Sequence, residues 1–254
     1  MDATNELIIF VHIAKNGGTT LRDILDKQYG AKSLSMYADA SMLNTKEKII
    51  NKVLQHIHTA KSISGHFSYG MKYDDHIARE SLLSLINIPR NITYITMLRN
   101  PVENIFSLYN HYKRNGYFNI QTLDMNFETF IKQKLYYPNY QTLCVSGTDI
   151  PDLNIAKYNI VNDFSIVGIT DMYNESIFLM KERFNWNNIK YQKLNHFVNP
   201  DLIKDIPNEL INLIYLDNKL DLKLYLFTKQ LLKQKIDALN INKQKELHEF
   251  SPFT

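Results

Sequence analysis

Lys15 is followed by Asn16, a glycine pair (Gly17-Gly18) and two threonines, Thr19 and Thr20. This combination suits an anion. Glycines let backbone N–H groups approach a ligand closely, the hydroxyls of Thr19 and Thr20 add donors, and Lys15 adds a positive charge. A helix opening at Gly18 would contribute its unsatisfied N–H groups and the favourable end of its dipole. The chemistry expected here is that of a phosphate cradle. It is not a Walker A loop, in which the lysine follows the last glycine as GxxxxGK[ST]; no such pattern occurs in the chain. Arg99 and Ser107, eight residues apart, form a second candidate anion contact. An arginine forks onto a phosphate in bidentate fashion and a serine hydroxyl adds a further donor. His66 offers an imidazole able to take a proton from a hydroxyl. His12, three residues before Lys15, is its rival, read mainly as a neighbour that orients the loop.

The elements that must position these groups follow from pattern. Leu7 to Val11 is a continuous apolar run, as in a buried parallel strand. Leu21, Ile24 and Leu25 recur at helical spacing, so a helix opens near Gly18, continues to Tyr29 and ends at Gly30. Residues 31–43 read as loop. Asn44 or Thr45 caps a helix to His58. Ile63 lies in a short strand with Gly65-His66 at its C-terminal edge. Ligands of open parallel sheets bind beyond the C-terminal strand ends, so parallel neighbours would bring His66 into the layer of Lys15. Asp75 caps a helix to Ile86, and Pro89 breaks the pattern. Ile92 to Leu98, rich in β-branched residues, delivers Arg99. Pro101 suits the first turn of the helix that carries Ser107. Its continuation, with His111 and Arg114, faces an anionic acceptor or is simply an exposed helix end. Phe127 to Leu135 is helical and ends near Pro138. A polar loop then leads to a strand at Phe164–Thr170, a helix from Asp171 to Phe184, and two helices over 207–216 and 217–236. The Lys-rich end through Lys245 reads as a solvated helix or tail.

Two of these motifs resemble those of sulfotransferases. The loop His12-Ile13-Ala14-Lys15-Asn16-Gly17-Gly18-Thr19-Thr20 is similar to the 5′-phosphosulfate loop of the carbohydrate 2-O/6-O-sulfotransferase-like family, with Ala14 in place of Pro and Asn16 in place of Thr. Arg99-Asn100-Pro101 with Ser107 resembles that family's 3′-phosphate motif, Asn100 standing where an acidic residue is usual. Weaker likenesses are Gly65-His66-Phe67-Ser68-Tyr69-Gly70, Asn139-Tyr140-Gln141-Thr142, Val167-Gly168-Ile169-Thr170-Asp171 and Asn218 to Tyr225. The resemblance spans residues 7–230 and implies a P-loop-kinase-like core within a single domain, residues 1–254. It implies 3′-phosphoadenosine 5′-phosphosulfate as sulfuryl donor, contacted by Lys15, Asn16, Gly17, Gly18, Thr19, Thr20, Arg99, Ser107 and Thr170. His66 is then the base that deprotonates an acceptor hydroxyl, with the oxygen attacking sulfur in line. Lys15 and the loop N–H groups stabilise charge on the departing phosphate oxygen. The implied acceptor is a glycan, with His12, Tyr69, His111, Asn139 and Gln141 as candidate contacts. Two alternatives stay open: a P-loop-like nucleotide kinase, and a nucleotide-binding module without catalysis.

Composition narrows the classes. The chain has 254 residues, 44% of them hydrophobic, enough for one sizeable α/β core. A net charge of +3 does not argue for nucleic acid or an anionic membrane. The single cysteine, Cys144, excludes an internal disulfide and reads as a small buried residue. No metal-ligand spacing of His, Cys and Asp occurs, so no metal is expected. There is no run long enough for a membrane span and no secretory leader at the first residues, which points to a cytoplasmic enzyme or to a chain from which an N-terminal anchor has been removed. No feature speaks to oligomeric state.

Overall fold

The computed structural model describes residues 6–37, 46–73, 81–86, 91–117, 125–187, 189 and 203–250. It is an α/β structure with a five-stranded, all-parallel central sheet flanked by helices. The strands are β1 (Glu6–Val11), β2 (Ser33–Ser35), β3 (Ser62–Gly65), β4 (Asn91–Leu98) and β5 (Phe164–Ile169). Their spatial order is β2-β3-β1-β4-β5. In β1, Leu7 to Val11 are all buried, as a strand covered on both faces requires. β1 lies between β3 and β4, with Val11 opposite Gly65 on one side and Thr96 on the other.

This order places a switch point at β1/β4. The chain leaves β1 towards β2 and leaves β4 towards β5, in opposite directions along the sheet. The crevice beyond the C-terminal ends of two such strands is where open parallel sheets bind ligands. The loop after β1 carries Lys15; the loop after β4 carries Arg99.

The helices are α1 (Gly18–Tyr29), α2 (Lys46–His56), α3 (Leu82–Leu85), α4 (Pro101–Asn115), α5 (Phe127–Lys132), α6 (Tyr140–Ser146), α7 (Leu153–Asn162), α8 (Tyr173–Phe184), α9 (Asn208–Asp217), α10 (Lys219–Asp237) and α11 (Ile241–Glu249). The main core is built on the sheet. A second apolar cluster joins α4, α5 and α9 through Val102, Phe106, Phe130, Leu210 and Ile214. None of the described helices is long and apolar enough to cross a membrane.

Two stretches depart from the expected pattern. Residues 31–43 contain β2, whose three residues are too few for an alternation to show. The expected polar loop before β5 holds α6 and α7. Asp152 caps α7 by accepting from the N–H groups of Asn154 and Ile155, at 2.8 and 2.9 Å, and the helix needs only Ala156, Asn159 and Ile160 for its buried face. The expected cap at Asp75 and the break at Pro89 lie outside the described residues.

Candidate active site

The loop between β1 and α1 has its carbonyl groups tied off from outside. Asn104 Nδ2 donates to the carbonyl of Ala14 (2.9 Å), Arg99 Nη1 to that of Lys15 (3.2 Å) and Tyr173 Oη to that of Gly17 (3.1 Å). The three donors come from α4, the β4 end and α8. Lys15 and Gly17 have positive φ, 64° and 75°. A backbone whose carbonyls are drawn outward at left-handed positions turns N–H groups towards the concave side, as in an anion-binding nest; the Asn16 N–H is the exception, donating to the Ile13 carbonyl at 3.4 Å. α1 then starts with Gly17 as its N-cap, without a side-chain cap and without an acidic residue in its first turn. Its N–H groups and dipole therefore face the same concavity.

Arg99 links the two motifs directly. Its guanidinium reaches the Lys15 carbonyl and also pairs with Glu103, at 3.1 Å. Asn100 caps α4 by accepting from the N–H of Val102 at 2.9 Å, a role open to an acidic residue as well. α4 has two faces. Val102, Ile105, Phe106 and Tyr109 enter the second apolar cluster, while Asn100, Asn104, Ser107, His111 and Arg114 follow one another at helical spacing on the polar side. Ser107 is buried on this helix.

His66 follows β3 and adjoins the same loop. Its Nδ1 lies 2.8 Å from the backbone carbonyl of His12. A carbonyl only accepts, so Nδ1 carries the proton, and Nε2 is the basic nitrogen of the neutral ring. The ring is exposed. His12 differs: it is buried, stacks on Phe10 and places its Nδ1 2.6 Å from the Tyr37 hydroxyl. The two imidazoles are 4.5 Å apart between centroids. Tyr37 meets both edge-on and carries the Arg22 guanidinium over its ring at 4.9 Å. Burial, reinforced by His66, Arg22 and Lys15, holds the pKa of His12 well below the usual imidazole value. His12 is thus a neutral structural ring, and His66 is the imidazole with access to a ligand.

The field of the concavity is cationic. Burial lowers the pKa of Lys15, and Arg114 and Arg99 lower it further. Burial likewise lowers that of His111, with Lys15, Arg114 and His66 adding to the shift. Like charges gathered round one loop repel one another, and an anion placed among them relieves that repulsion. Neither protein-family models nor curated proteins match this chain. The site's chemistry therefore rests on its own geometry.

The remaining sequence-predicted residues divide clearly. Thr19 and Thr20 occupy the first turn of α1, Thr20 buried. Thr170 adjoins the loop: its Cγ2 would lie 3.6 Å from a Cβ at Gly17, and its buried Oγ1 has no hydrogen-bond partner among the described residues. Asn16 belongs to the loop through its backbone, but its side chain faces inward. Its Nδ2 donates to the Met97 carbonyl and to Gln141 Oε1, both at 2.9 Å, and its Oδ1 accepts from Asn104. Gln141 is spent in the same way: Oε1 accepts from Asn16 and from the Arg99 N–H, and Nε2 donates to the Arg99 carbonyl, all at 2.9 Å. It positions both motifs from beneath. Asn139 caps α10, its Oδ1 accepting from the N–H of Leu220 at 2.8 Å. The Tyr69 side chain is turned away from the crevice: its hydroxyl donates to Asp163, immediately before β5, at 2.8 Å.

Asn104, Tyr173 and Tyr37 complete the loop and went unrecognised in the sequence. Asn104 had a signal, the polar stripe on α4. Tyr37 sits after a strand too short to read, and Tyr173 meets Gly17 only through the fold.

One close approach gives a test. A Cβ on Gly18 would lie 2.2 Å from His12 Cδ2 and 2.3 Å from its Nε2. The ring cannot simply turn away while its other nitrogen is held by Tyr37. Gly18→Ala is expected to cost about 1–3 kcal/mol, read by urea unfolding, with weakened binding of inorganic pyrophosphate at the displaced loop.

Proposed function

We propose that this protein is a sulfotransferase that moves a sulfuryl group from 3′-phosphoadenosine 5′-phosphosulfate to a hydroxyl acceptor, a glycan by the resemblance of its motifs. The observation that carries the reading is the Arg99 bridge onto the Lys15 carbonyl. It joins the lysine loop and the arginine motif into one cationic concavity at the switch point of the sheet. A donor with phosphate at both ends calls for two such anion contacts side by side. The loop N–H groups and Lys15 suit the 5′-phosphosulfate, and Arg99 with Ser107 suits the 3′-phosphate.

Each residue then has a defined part. The phosphosulfate supplies the transferable group. Lys15 and the N–H groups of the loop and first turn of α1 stabilise negative charge on the departing phosphate oxygen. His66 Nε2 takes the proton from the acceptor hydroxyl, with the ring's orientation and tautomer fixed through Nδ1 by the His12 carbonyl. His12, packed between Phe10, Tyr37 and His66, keeps that carbonyl in place. As with phosphoryl transfer, positioning and charge stabilisation do most of the work.

Calorimetry of adenosine 3′,5′-bisphosphate against ADP and AMP tests the donor. Wild type is expected to prefer the 3′-phosphorylated ligand. Arg99→Ala should erase the preference at a loss of about 2 kcal/mol, roughly thirtyfold, as for a lost charge-assisted contact. Equal binding of ADP by wild type, or an unchanged preference in Arg99→Ala, would overturn the 3′-phosphate assignment and favour a kinase-like activity.

A further inference from the structure

Three large apolar side chains stand exposed on successive turns of α7: Ile155 (40%), Tyr158 (65%) and Val161 (63%). Their spacing puts them on one face of the helix, opposite the buried Ala156, Asn159 and Ile160. Ile150, just ahead of the helix, is 74% exposed. It is held in place there: the Thr148 hydroxyl donates to its carbonyl at 2.7 Å and lies 2.6 Å from the Ser146 hydroxyl. Together the four residues offer roughly 400 Å² of apolar surface, a size at which exposed patches are often functional. A standard interface buries about 800 Å² per partner, somewhat over half of it apolar. This face therefore supplies the apolar share of one such interface.

At the other end of α7 the face runs into a groove. Val161 also lines a cavity of about 160 Å³, with Ile160, Phe164, Leu231 and Leu232, between α7, β5 and α10. A cavity of this size accepts a benzene ring, so one aliphatic side chain fills it. Lys235 lines it as well. Its Nζ donates to the Ser165 carbonyl at 3.0 Å and meets no carboxylate among the described residues. Burial, reinforced by Arg183, lowers its pKa. A half-buried cation so placed is stabilised by a carboxylate brought to it. Asp149, next to Ile150, is exposed and makes no ion pair among the described residues. The neighbouring charges are already engaged: Asp152 caps α7, Asp163 accepts from Tyr69, and Lys157 lies over the Phe227 ring.

The face is self-complementary. It carries an apolar knob beside an acid at one end, an apolar socket beside a base at the other, and Tyr158 near the middle. We infer that it is a dimer interface for a second copy of this chain. A two-fold axis near Tyr158 sets the two α7 helices antiparallel, with Ile150 in the partner's groove and Asp149 against the partner's Lys235. The pairing is reciprocal, so it closes at two copies. It uses none of the crevice residues and does not depend on the sulfuryl-transfer reading.

Sedimentation equilibrium of the full chain, from about 1 to 100 μM, is the test. Wild type is expected to reach twice the chain mass. Ile150→Glu and Tyr158→Glu should each raise the dimer dissociation constant about thirtyfold or more. Both side chains are exposed, so the variants keep their fold, which thermal melting at low concentration verifies. Leu226→Glu, at an exposed apolar position on α10 outside this face, should associate as wild type does. Asp149→Lys and Lys235→Glu should each weaken the dimer, and the double variant should regain affinity, which damage to the fold at either position would not allow. A wild type that stays monomeric throughout overturns the inference. So does a dimer indifferent to Ile150→Glu and Tyr158→Glu, or a charge swap without rescue. Species growing beyond the dimer would mean open head-to-tail contacts and overturn the two-fold arrangement.

Discussion

His66→Asn is expected to slow sulfuryl transfer by about a hundredfold to ten-thousandfold, the usual worth of a positioned general base, with little change in the binding of adenosine 3′,5′-bisphosphate. Asn is the informative replacement because its Nδ2 can still donate to the His12 carbonyl, the bond now made by Nδ1 at 2.8 Å. The bond to the His12 carbonyl is kept, while the basic Nε2 is lost together with the ring's contacts with His12 and Tyr37. Transfer is read as release of adenosine 3′,5′-bisphosphate from the phosphosulfate donor in the presence of a desulfated polysaccharide. His12→Asn is the contrasting variant. It removes a buried ring stacked on Phe10 and held by Tyr37, so it should lower the unfolding free energy as well as activity. A His66→Asn enzyme that turns over normally would remove His66 from the chemistry.

Asp221→Ala is expected to cost about 3 kcal/mol or more in stability. Asp221 is buried, and its carboxylate accepts from the N–H of Thr142 (2.7 Å), the hydroxyl of Thr142 (2.7 Å) and the N–H of Gln141 (3.1 Å). It caps α6 from the first turn of α10, while Asn139 at the start of α6 caps α10 in return. Removing the carboxylate strands buried donors and loosens Gln141, which holds the backbone of Arg99. Binding of adenosine 3′,5′-bisphosphate should therefore weaken in proportion to the lost order at Arg99. The pH dependence carries a second signal. Burial raises the Asp221 pKa to about 6, against 3.8 without it, although the Thr142 and Gln141 donors oppose the shift. Between these values the native state binds a proton that the unfolded state has released, so this group's contribution falls as pH rises through the window. Asn cannot titrate. The stability of wild type relative to Asp221→Asn should accordingly fall by on the order of 3 kcal/mol from about pH 4 to pH 7. A flat difference in urea unfolding would mean that the three donors keep the carboxylate ionised throughout.

The strands that carry the site were legible because parallel-sheet strands are continuous apolar runs: Leu7–Val11 and Ile92–Leu98 read directly as β1 and β4. The placement of His66 beside Lys15 was legible too, since it required only that β3 and β1 be parallel neighbours, as their pairing shows. The short elements were not. β2, α6 and α7 are defined by caps and long-range contacts more than by periodicity. Side-chain direction was the least legible property. Asn16, Asn139 and Gln141 have donors and acceptors fit for a ligand, and nothing in their local sequence reveals that Met97, Leu220 and Arg99 claim them. Tyr69 shows the same gap, since its hydroxyl suits a ligand and Asp163 claims it.

The mutual capping of α6 and α10 also orders events in time. Gln141 and Thr142 receive their acceptor from a residue 80 and 79 positions later. On the ribosome, where the chain emerges from its first residue onward, β1, its loop, β4 and Arg99 are all available long before Asp221 appears. Until it does, the start of α6 has no carboxylate to receive it, and Gln141 has no fixed base from which to hold Arg99. A nascent chain can therefore assemble much of its sheet while its ligand-binding crevice is still unset, and competence for binding arrives in a late step, with the docking of α10.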